Sequence, residues 1–205
     1  MYGVPSHYWR GDGNASDSIG GVDGTLQGAT SFGQGEAGQA FEFGSQGDAV
    51  TFGSDVGNFG TDDFTVDFWL QTTSIADPVI TKDDYLNSGW SIGVGDRGTL
   101  YYGFDGSDDP SLAGRTVVND GRLHHITFSR TRQTLTATVD GNDDGSMQTQ
   151  SVVDLNNTAD LTIAGDQTNG EWPSFQGVVD EVKLFQYPFV YPGGASSAAH
   201  RHGAR

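Results

Sequence analysis

Residues Phe64-Thr-Val-Asp-Phe-Trp-Leu-Gln71 decide the fold class, because apolar and polar side chains alternate along the whole stretch. The apolar side chains share one face of an extended strand: Phe64, Val66, Phe68 and Leu70. The opposite face carries Thr65, Asp67, Trp69 and Gln71. This pattern predicts a half-buried strand at the centre of a sheet, with Trp69 on the face away from the apolar stripe.

The same two-residue period recurs between residues 39 and 187, in short segments bounded by Gly, Asp, Asn or Pro. With 31 Gly, 23 Asp and only 4 Glu in 205 residues, the composition favours turns over helices. No pattern repeats with a period typical of propellers or solenoids. The chain is therefore predicted to be all-β, a two-sheet antiparallel β-sandwich of a single domain over residues 1–188, followed by a flexible C-terminal tail over residues 189–205.

The charge balance and the missing residue types exclude several functions. Lys and Arg number 10 against 27 acidic residues, and this net charge of −17 argues against nucleic acid as a partner. The chain has no Cys, which removes disulfides and thiol catalysis. No apolar run has the length of a membrane-spanning helix, so no membrane insertion is expected. The N-terminus also lacks a signal-peptide pattern, so either the protein is not exported or the sequence is part of a larger multidomain chain, and we expect the second.

Six segments, in this order, resemble the laminin G-like, concanavalin A-like lectin and glucanase family of jelly-roll domains: residues 8–28, 35–43, 63–69, 123–128, 135–141 and 175–182. Among them, Asp63-Phe-Thr-Val-Asp-Phe-Trp69 is similar to the central strand of that family. Phe175-Gln-Gly-Val-Val-Asp-Glu-Val182 is similar to its last strand. The resemblance implies a jelly roll, often a non-catalytic module that binds glycans or proteins outside the cell or on its surface, and often one that holds calcium.

Asp180 is the first candidate metal ligand. In the stretch Val178-Val-Asp-Glu-Val-Lys-Leu184, the two-residue period puts its carboxylate on the apolar face, where it needs a partner. Calcium prefers oxygen ligands, and the segment Asp12-Gly-Asn-Ala-Ser-Asp17 could supply more of them from the other end of the chain. A structural calcium ion held by Asp12, Asn14, Asp17 and Asp180 is predicted. The alternative is that Asp180 accepts hydrogen bonds from backbone N–H groups, without a metal.

Aromatic side chains are the candidate sugar ligands, because sugar rings pack on flat rings while their hydroxyls bond to polar neighbours. Trp9 and Trp90 lie in core-like contexts and are expected to be buried. Trp172, in a turn-rich stretch, and Trp69, which could form the floor of a groove, are the first candidates. Tyr85 and Tyr102 are the second pair, and at least one of Tyr101 and Tyr102 should be exposed. His124 lies on the same strand face as the apolar Ile126 and Phe128, which predicts a buried, hydrogen-bonded imidazole.

Catalysis is not predicted, although a glycan hydrolase or lyase stays an alternative. The strand motif Glu-x-Asp-x-Glu of jelly-roll glucanases does not occur, and the four Glu are scattered along the chain. Two non-catalytic functions remain open. One is a carbohydrate-binding module, with neutral glycans favoured over acidic ones because the chain itself is acidic. The other is a calcium-dependent protein-interaction or adhesion module of a cell-surface protein, with an extracellular protein as partner.

Overall fold

The computed structural model describes residues 3–75, 77–83, 88–105, 111–165 and 175–186, and within these ranges the chain forms fifteen β-strands and no helix. The strands are β1 (His7–Trp9), β2 (Thr25–Gln27), β3 (Ser31–Gln34), β4 (Gln39–Phe43), β5 (Ala49–Thr51), β6 (Phe64–Thr72), β7 (Asp77–Asp83), β8 (Gly89–Val94), β9 (Thr99–Asp105), β10 (Ser111–Val117), β11 (Leu123–Thr131), β12 (Thr134–Val139), β13 (Asn142–Gln148), β14 (Thr162–Ile163) and β15 (Gly177–Phe185). A helix long and apolar enough to cross a membrane is accordingly not found in that part of the chain.

The strands form two antiparallel sheets. The eight-stranded sheet has the order β13-β12-β11-β6-β15-β4-β3, with β1 paired to β15 beside this path. The seven-stranded sheet has the order β10-β9-β8-β7-β14-β5-β2. Since β1 pairs with β15, with Trp9 opposite Val182, strands from the two ends of the described chain are neighbours. The prediction of an all-β, two-sheet antiparallel sandwich of the jelly-roll type is confirmed.

The core lies between the sheets and is rich in aromatic rings. Phe64, at the start of β6, stacks on Phe59 at 4.1 Å between ring centroids and lies 6.1 Å from Trp90. Trp9 and Trp90 are fully buried, as predicted, and their indole N–H groups donate to the carbonyl oxygens of Val22 and Gly57. The alternating apolar side chains of β6 therefore point into this core. Its polar side chains point to the other face, where Thr65 and Asp67 are also buried, so the strand is more buried than predicted.

Two buried cations bind loops at the end of the sandwich through backbone carbonyl groups. The Lys82 ammonium donates to the carbonyl oxygens of Ser54, Asn157 and Ala159 and to the side-chain oxygen of Asn157. The Arg130 guanidinium donates to the carbonyl oxygens of three loop residues, Gly60, Asp62 and Val153. Because buried charges must be hydrogen-bonded, these two side chains fix the conformation of the loops that they reach.

Strands β2 and β3 are not predicted, because the two-residue period is recognised only from residue 39 onward. The segment 115–118 is predicted as a strand, whereas β10 begins at Ser111. The segment 146–153 is also predicted as a strand, whereas β13 begins at Asn142. The reason is the tight turn at Asp140 and Gly141, both with positive φ, which lets pairing with β12 resume at once. Asp144 therefore lies on a strand, is buried, and accepts N–H donors from Arg115 and Thr116 at the edge of the other sheet. The predicted tail over residues 189–205 lies outside the described residues.

Candidate functional site

The outer face of the eight-stranded sheet carries the polar side chains of its central strand β6. Phe68 and Leu70 are fully buried in the core, while Trp69 and Gln71 are only half-buried on the opposite face. The predicted orientation of Trp69 is therefore confirmed. A tryptophan on the polar face of a central strand leaves part of its ring available to a ligand.

Strand β11 brings a second set of polar groups to the same place. Its register with β6 sets His125 opposite Trp69 and Thr127 opposite Asp67. The His125 ring lies 4.9 Å from the Trp69 ring, centroid to centroid, and the two planes are tilted by 37°. These residues, with Gln71, are called the Trp69 cluster below.

Hydrogen bonds hold the polar members of the Trp69 cluster in place. His125 Nε2 lies 3.0 Å from Asp67 Oδ2, and the Thr127 hydroxyl donates to the same oxygen at 2.8 Å. The Gln71 amide donates to the Gly121 carbonyl oxygen at 2.7 Å. The Asp67 side chain is 10% exposed and that of His125 13% exposed, so both are shielded but reachable. Fixed polar groups beside an aromatic ring are the elements of a preorganised sugar site.

A paired set of charges borders the Trp69 cluster on the β15 side. Lys183 lies opposite Asp67 in the sheet, and its ammonium is 3.3 Å from Glu181 Oε2. The Tyr8 hydroxyl donates to the same Glu181 oxygen, and the Lys183 ammonium lies 4.8 Å from the centre of the Tyr8 ring. Burial and the bond to Glu181 raise the pKa of Tyr8. The charges of Lys183 and Glu181 neutralise each other, and the Arg10 guanidinium, 5.1 Å from the centre of the Tyr8 ring, is one further positive charge on this side.

The predicted ligand residue Tyr102 does not lie on a surface. Its ring is fully buried and stacks on Phe128 at 4.8 Å. Burial and the neighbouring charge of Asp144 raise the pKa of Tyr102 well above its usual value. The phase of β9 points Tyr102 into the core and leaves Tyr101 half-exposed on the outer face of the seven-stranded sheet, so the expectation that one of the pair is exposed holds for Tyr101. Tyr85 and Trp172 lie outside the described residues.

Asp180 is fully buried, but on a different face from the one predicted. It lies opposite Trp69, whereas Val182 lies opposite Trp9 and belongs to the core side. A β-bulge between Asp180 and Lys183, with Glu181 at φ 54°, changes the phase within the strand. The prediction that Asp180 shares a face with Val182 and Leu184 is therefore wrong, although its burial was predicted correctly.

The carboxylate of Asp180 holds the turn between β3 and β4. Oδ2 accepts the backbone N–H groups of Glu36 at 2.8 Å and Ala37 at 3.4 Å, and Oδ1 accepts that of Glu181 at 2.8 Å. Burial raises the pKa of Asp180 to about 6, because these three bonds do not offset the loss of water and the negative charge of Glu181 raises the pKa further. The β3–β4 turn packs closely on Asp180, because a Cβ atom on Gly35 would clash with Asp180 Oδ2.

The other predicted calcium ligands also have backbone partners. Asp17 accepts the backbone N–H groups of Tyr8, Ile19, Gly20 and Val22. The Nδ1 atom of His7 lies 2.7 Å from Asp17 Oδ2.

Asp12 accepts one N–H, from Gln39 at 2.9 Å, and the Asn14 side chain bonds within its own loop, to the backbone of Asp12 and Ser16. No group of three or more His, Asp or Glu side chains in the described ranges is arranged to hold a metal ion. With its oxygens occupied, Asp17 fits a calcium ion poorly, whereas Asp180 and Asp12 have fewer donors. Calcium binding stays a prediction.

The pairing of His125 with Asp67 was not predicted. The alternation of β6 and of β11 places both side chains on polar faces, but only the register between the strands brings them into contact. By contrast, the prediction for His124 is confirmed, since its ring is buried and bonds to Asp140 at 2.8 Å and Asp120 at 3.1 Å. For His125 and Asp67, the signal in the sequence was that each lies on the polar face of its own strand.

Comparison of whole structures shows the same fold in several proteins. Domain 4 of AbnA, an extracellular GH43 arabinanase from Geobacillus stearothermophilus described in complex with arabinotriose, has a TM-score of 0.76 at 16% identity, covering 93% of this chain and 96% of that one. Botulinum neurotoxin type C, described as interacting with two ganglioside molecules, has a TM-score of 0.69 at 12% identity, covering 92% of this chain and 49% of that one. Mouse laminin α1 domains LG4-5 have a TM-score of 0.62 at 15% identity, covering 82% of this chain and 48% of that one.

At these identities the likeness concerns the fold alone, and this chain spans about half the length of the toxin and laminin structures. Among curated proteins, none matches. A family model of laminin G type, described as the concanavalin A-like lectin/glucanases superfamily, matches residues 43–190. The chain thus belongs to the concanavalin A-like lectin/glucanase superfamily.

Proposed function

We propose that this domain is a non-catalytic carbohydrate-binding module whose site is the Trp69 cluster. The observation that carries the proposal is the half-buried Trp69 ring on the outer face of β6, with His125 and Asp67 fixed beside it. One face of a sugar ring would pack on Trp69. Its hydroxyls would bond to the Asp67 carboxylate, the His125 ring and the Gln71 side chain, which offer both acceptors and donors.

A neutral glycan suits this site better than an acidic one. The net charge of −17 repels a polyanion, and the Lys183 ammonium beside the site is already paired with Glu181. The structurally similar arabinanase domain is described with arabinotriose, a neutral oligosaccharide, which makes arabinan fragments the first probe. Similar folds in extracellular enzymes, toxins and laminin support a module that works outside the cell or on its surface, within a larger multidomain chain.

We expect the structural calcium ion to bind near Asp180. What supports this is that Asp180 is buried and that its described hydrogen-bond partners are all backbone N–H groups, so no cationic side chain among them balances its charge. A calcium ion would supply positive charge and tie the β3–β4 turn to β15. Asp12, with one backbone donor, is the predicted partner that is best able to contribute an oxygen.

A calcium-dependent protein-interaction or adhesion module is the second candidate. The acidic surface favours it, and a related fold in a botulinum neurotoxin binding domain is described in complex with rat synaptotagmin II. It predicts a ligand surface in the loops and no preference among sugars. Catalysis on a glycan would instead release reducing ends during the same binding experiments.

The experiment is a titration calorimetry screen with neutral oligosaccharides, beginning with arabinotriose, on the natural protein and on Trp69→Ala. Saturable binding that weakens at least about tenfold in Trp69→Ala is the expected result. Tyr101→Ala is the matched control, because it removes a half-exposed aromatic side chain from the other sheet and should bind normally. Circular dichroism must show that both variants are folded. Equal affinity in Trp69→Ala and the natural protein would place the sugar site elsewhere.

A further inference from the structure

Beside the Trp69 cluster, the outer face of β11, β12 and β13 is rich in hydroxyl side chains, although Gln148 and Asp143 on β13 lie opposite Thr134 and Thr138. We call this surface the hydroxyl face, and its members are Thr127, Ser129, Thr131, Thr134, Thr136, Thr138 and Ser146. They lie opposite one another in the sheet: Thr127 and Thr138, Ser129 and Thr136, Thr131 and Thr134, Thr136 and Ser146. Alternation alone explains why they share one face.

The hydroxyl face is open to solvent toward its edge. Thr131, Thr136 and Ser146 are exposed and Thr134 and Thr138 half-buried. The residues between them on β12 are the core residues Leu135, Ala137 and Val139. Strand β13 is the last strand of the sheet, and Asp144 on it bonds to Arg115 and Thr116 of β10 in the other sheet, so the outer face ends where the two sheets meet.

The chemistry of the hydroxyl face suits a neutral, hydroxylated ligand. Each Ser or Thr hydroxyl can donate and accept a hydrogen bond, and the threonine methyl groups offer apolar contact to C–H groups. The Thr138 hydroxyl oxygen is shielded from water and has no hydrogen-bond partner in the described part of the chain. None of the seven side chains is charged, and Asp143, which lies opposite Thr138, is paired with Arg115 at 3.1 Å.

The hydroxyl face and the Trp69 cluster are neighbours in the sheet, and the residues that join them, Thr127 and Ser129, are largely buried. Thr127 belongs to both, since its hydroxyl donates to Asp67 while it lies opposite Thr138. The surface crosses four neighbouring strands, β6, β11, β12 and β13. At the usual spacing between strands, it is roughly 15 Å long. One sugar ring on Trp69 would cover only one end of it.

We propose that the ligand of this domain is an extended neutral polysaccharide, lying across β6, β11, β12 and β13 with one sugar on Trp69 and the following sugars on the hydroxyl face. The inference rests on the proposed function and adds the class of ligand. It distinguishes recognition along a chain from recognition of a single terminal sugar.

The test is titration calorimetry with linear arabino-oligosaccharides of increasing length, from two sugars to six, and with a second series of xylo-oligosaccharides. For at least one series, affinity should rise about tenfold or more between the shortest and the longest member. Thr136→Glu, on the exposed part of the hydroxyl face, should abolish this gain and leave the affinity for the shortest member unchanged. Thr25→Glu, on the exposed edge strand β2 of the other sheet, adds the same charge and should keep the full gain.

Three outcomes overturn the inference, and each has a separate meaning. Affinity that is independent of length contradicts an extended ligand while leaving the Trp69 site intact. An equal gain with length in Thr136→Glu and Thr25→Glu removes the hydroxyl face from the binding surface. No binding of any sugar in either series removes the proposed function together with this extension of it.

Discussion

Asp17 and Asp180 are both buried carboxylates that hold a loop to the eight-stranded sheet, yet their pKa values move in opposite directions. Burial alone raises the pKa of Asp17, but four backbone N–H donors and the His7 ring outweigh it and lower the pKa to about 2. Burial raises the pKa of Asp180 to about 6, because three backbone donors do not compensate for it and Glu181 adds negative charge.

The comparison shows that burial of a carboxylate does not by itself decide whether its charge stabilises the fold. The number of donors and the sign of the neighbouring charge decide it. At neutral pH the Asp17 charge favours the folded state, whereas the Asp180 charge opposes it. A bound cation would therefore stabilise the folded state more beside Asp180 than beside Asp17.

The largest expected effect belongs to Asp17→Ala. This change leaves four backbone N–H groups and the His7 ring without their acceptor, so we expect the free energy of unfolding to fall by about 3 to 5 kcal/mol. Urea unfolding followed by tryptophan fluorescence measures it. Asp12→Ala is the control, and both variants are measured with chelator because Asp12 is also a predicted calcium ligand. Its exposed side chain accepts one N–H, so the loss should stay below about 1 kcal/mol. Equal losses in both variants would contradict the account of Asp17.

Calcium should have the next largest effect, through Asp180. After exhaustive chelation, calcium added back to about one hundred times its dissociation constant should stabilise the fold by about 3 kcal/mol. Magnesium at the same ionic strength should not reproduce this, and Asp180→Asn should abolish it. The measurement is the thermal unfolding midpoint. No shift with calcium would leave Asp180 as a carboxylate bound only to backbone N–H groups.

In the presence of chelator, the pH dependence of stability should report on Asp180. Its folded pKa of about 6 lies above the ordinary value of 3.8, so its contribution to stability is full below pH 3.8 and is lost as the pH rises through 6. Between pH 7 and pH 5 we expect a gain of about 1 kcal/mol from this group. Urea unfolding at both pH values should show the gain in the natural protein and lose it in Asp180→Asn. The same slope in both proteins would speak against a raised pKa.

The smallest expected effect comes from His124. Burial lowers the pKa of His124, but the neighbouring Asp140 and Asp120 outweigh this and raise it above 6.5. Its stabilisation is present below pH 6.5 and disappears as the pH rises through the raised value, with a size below about 1 kcal/mol because both partners are solvent-exposed. An NMR titration of the ring should show the raised pKa, and Asp140→Asn should lower it. A midpoint below 6.5 in the natural protein would contradict this arrangement.

Much of the fold could be predicted because alternation is a local property. The buried positions of β6, the burial of Trp9 and Trp90, and the buried His124 all follow from two-residue periodicity and local context. The phase of β15 could not be predicted from alternation, because a bulge at Glu181 shifts it and no residue pattern there marks the bulge. Asp180 therefore faces the Trp69 side of the sheet.

The candidate site was predicted only in part, because it depends on contacts between strands that are distant in the sequence. Alternation placed Trp69 on the polar face correctly. It could not show that β11 pairs with β6 in the register that sets His125 beside Trp69. It also left open which of Tyr101 and Tyr102 faces outward, since both neighbours on β9 could fill a core position.

The most direct test of the account is an NMR titration of the four tryptophan indole N–H groups with arabinotriose, followed by the best ligand from the oligosaccharide screen. Trp9 and Trp90 are buried and hydrogen-bonded, so their resonances serve as internal controls and should not move. The Trp69 resonance should shift as sugar is added until the site is saturated, and the affinity from this titration should equal the one measured by calorimetry. A saturating sugar that shifts the Trp172 resonance and leaves that of Trp69 unchanged would contradict it.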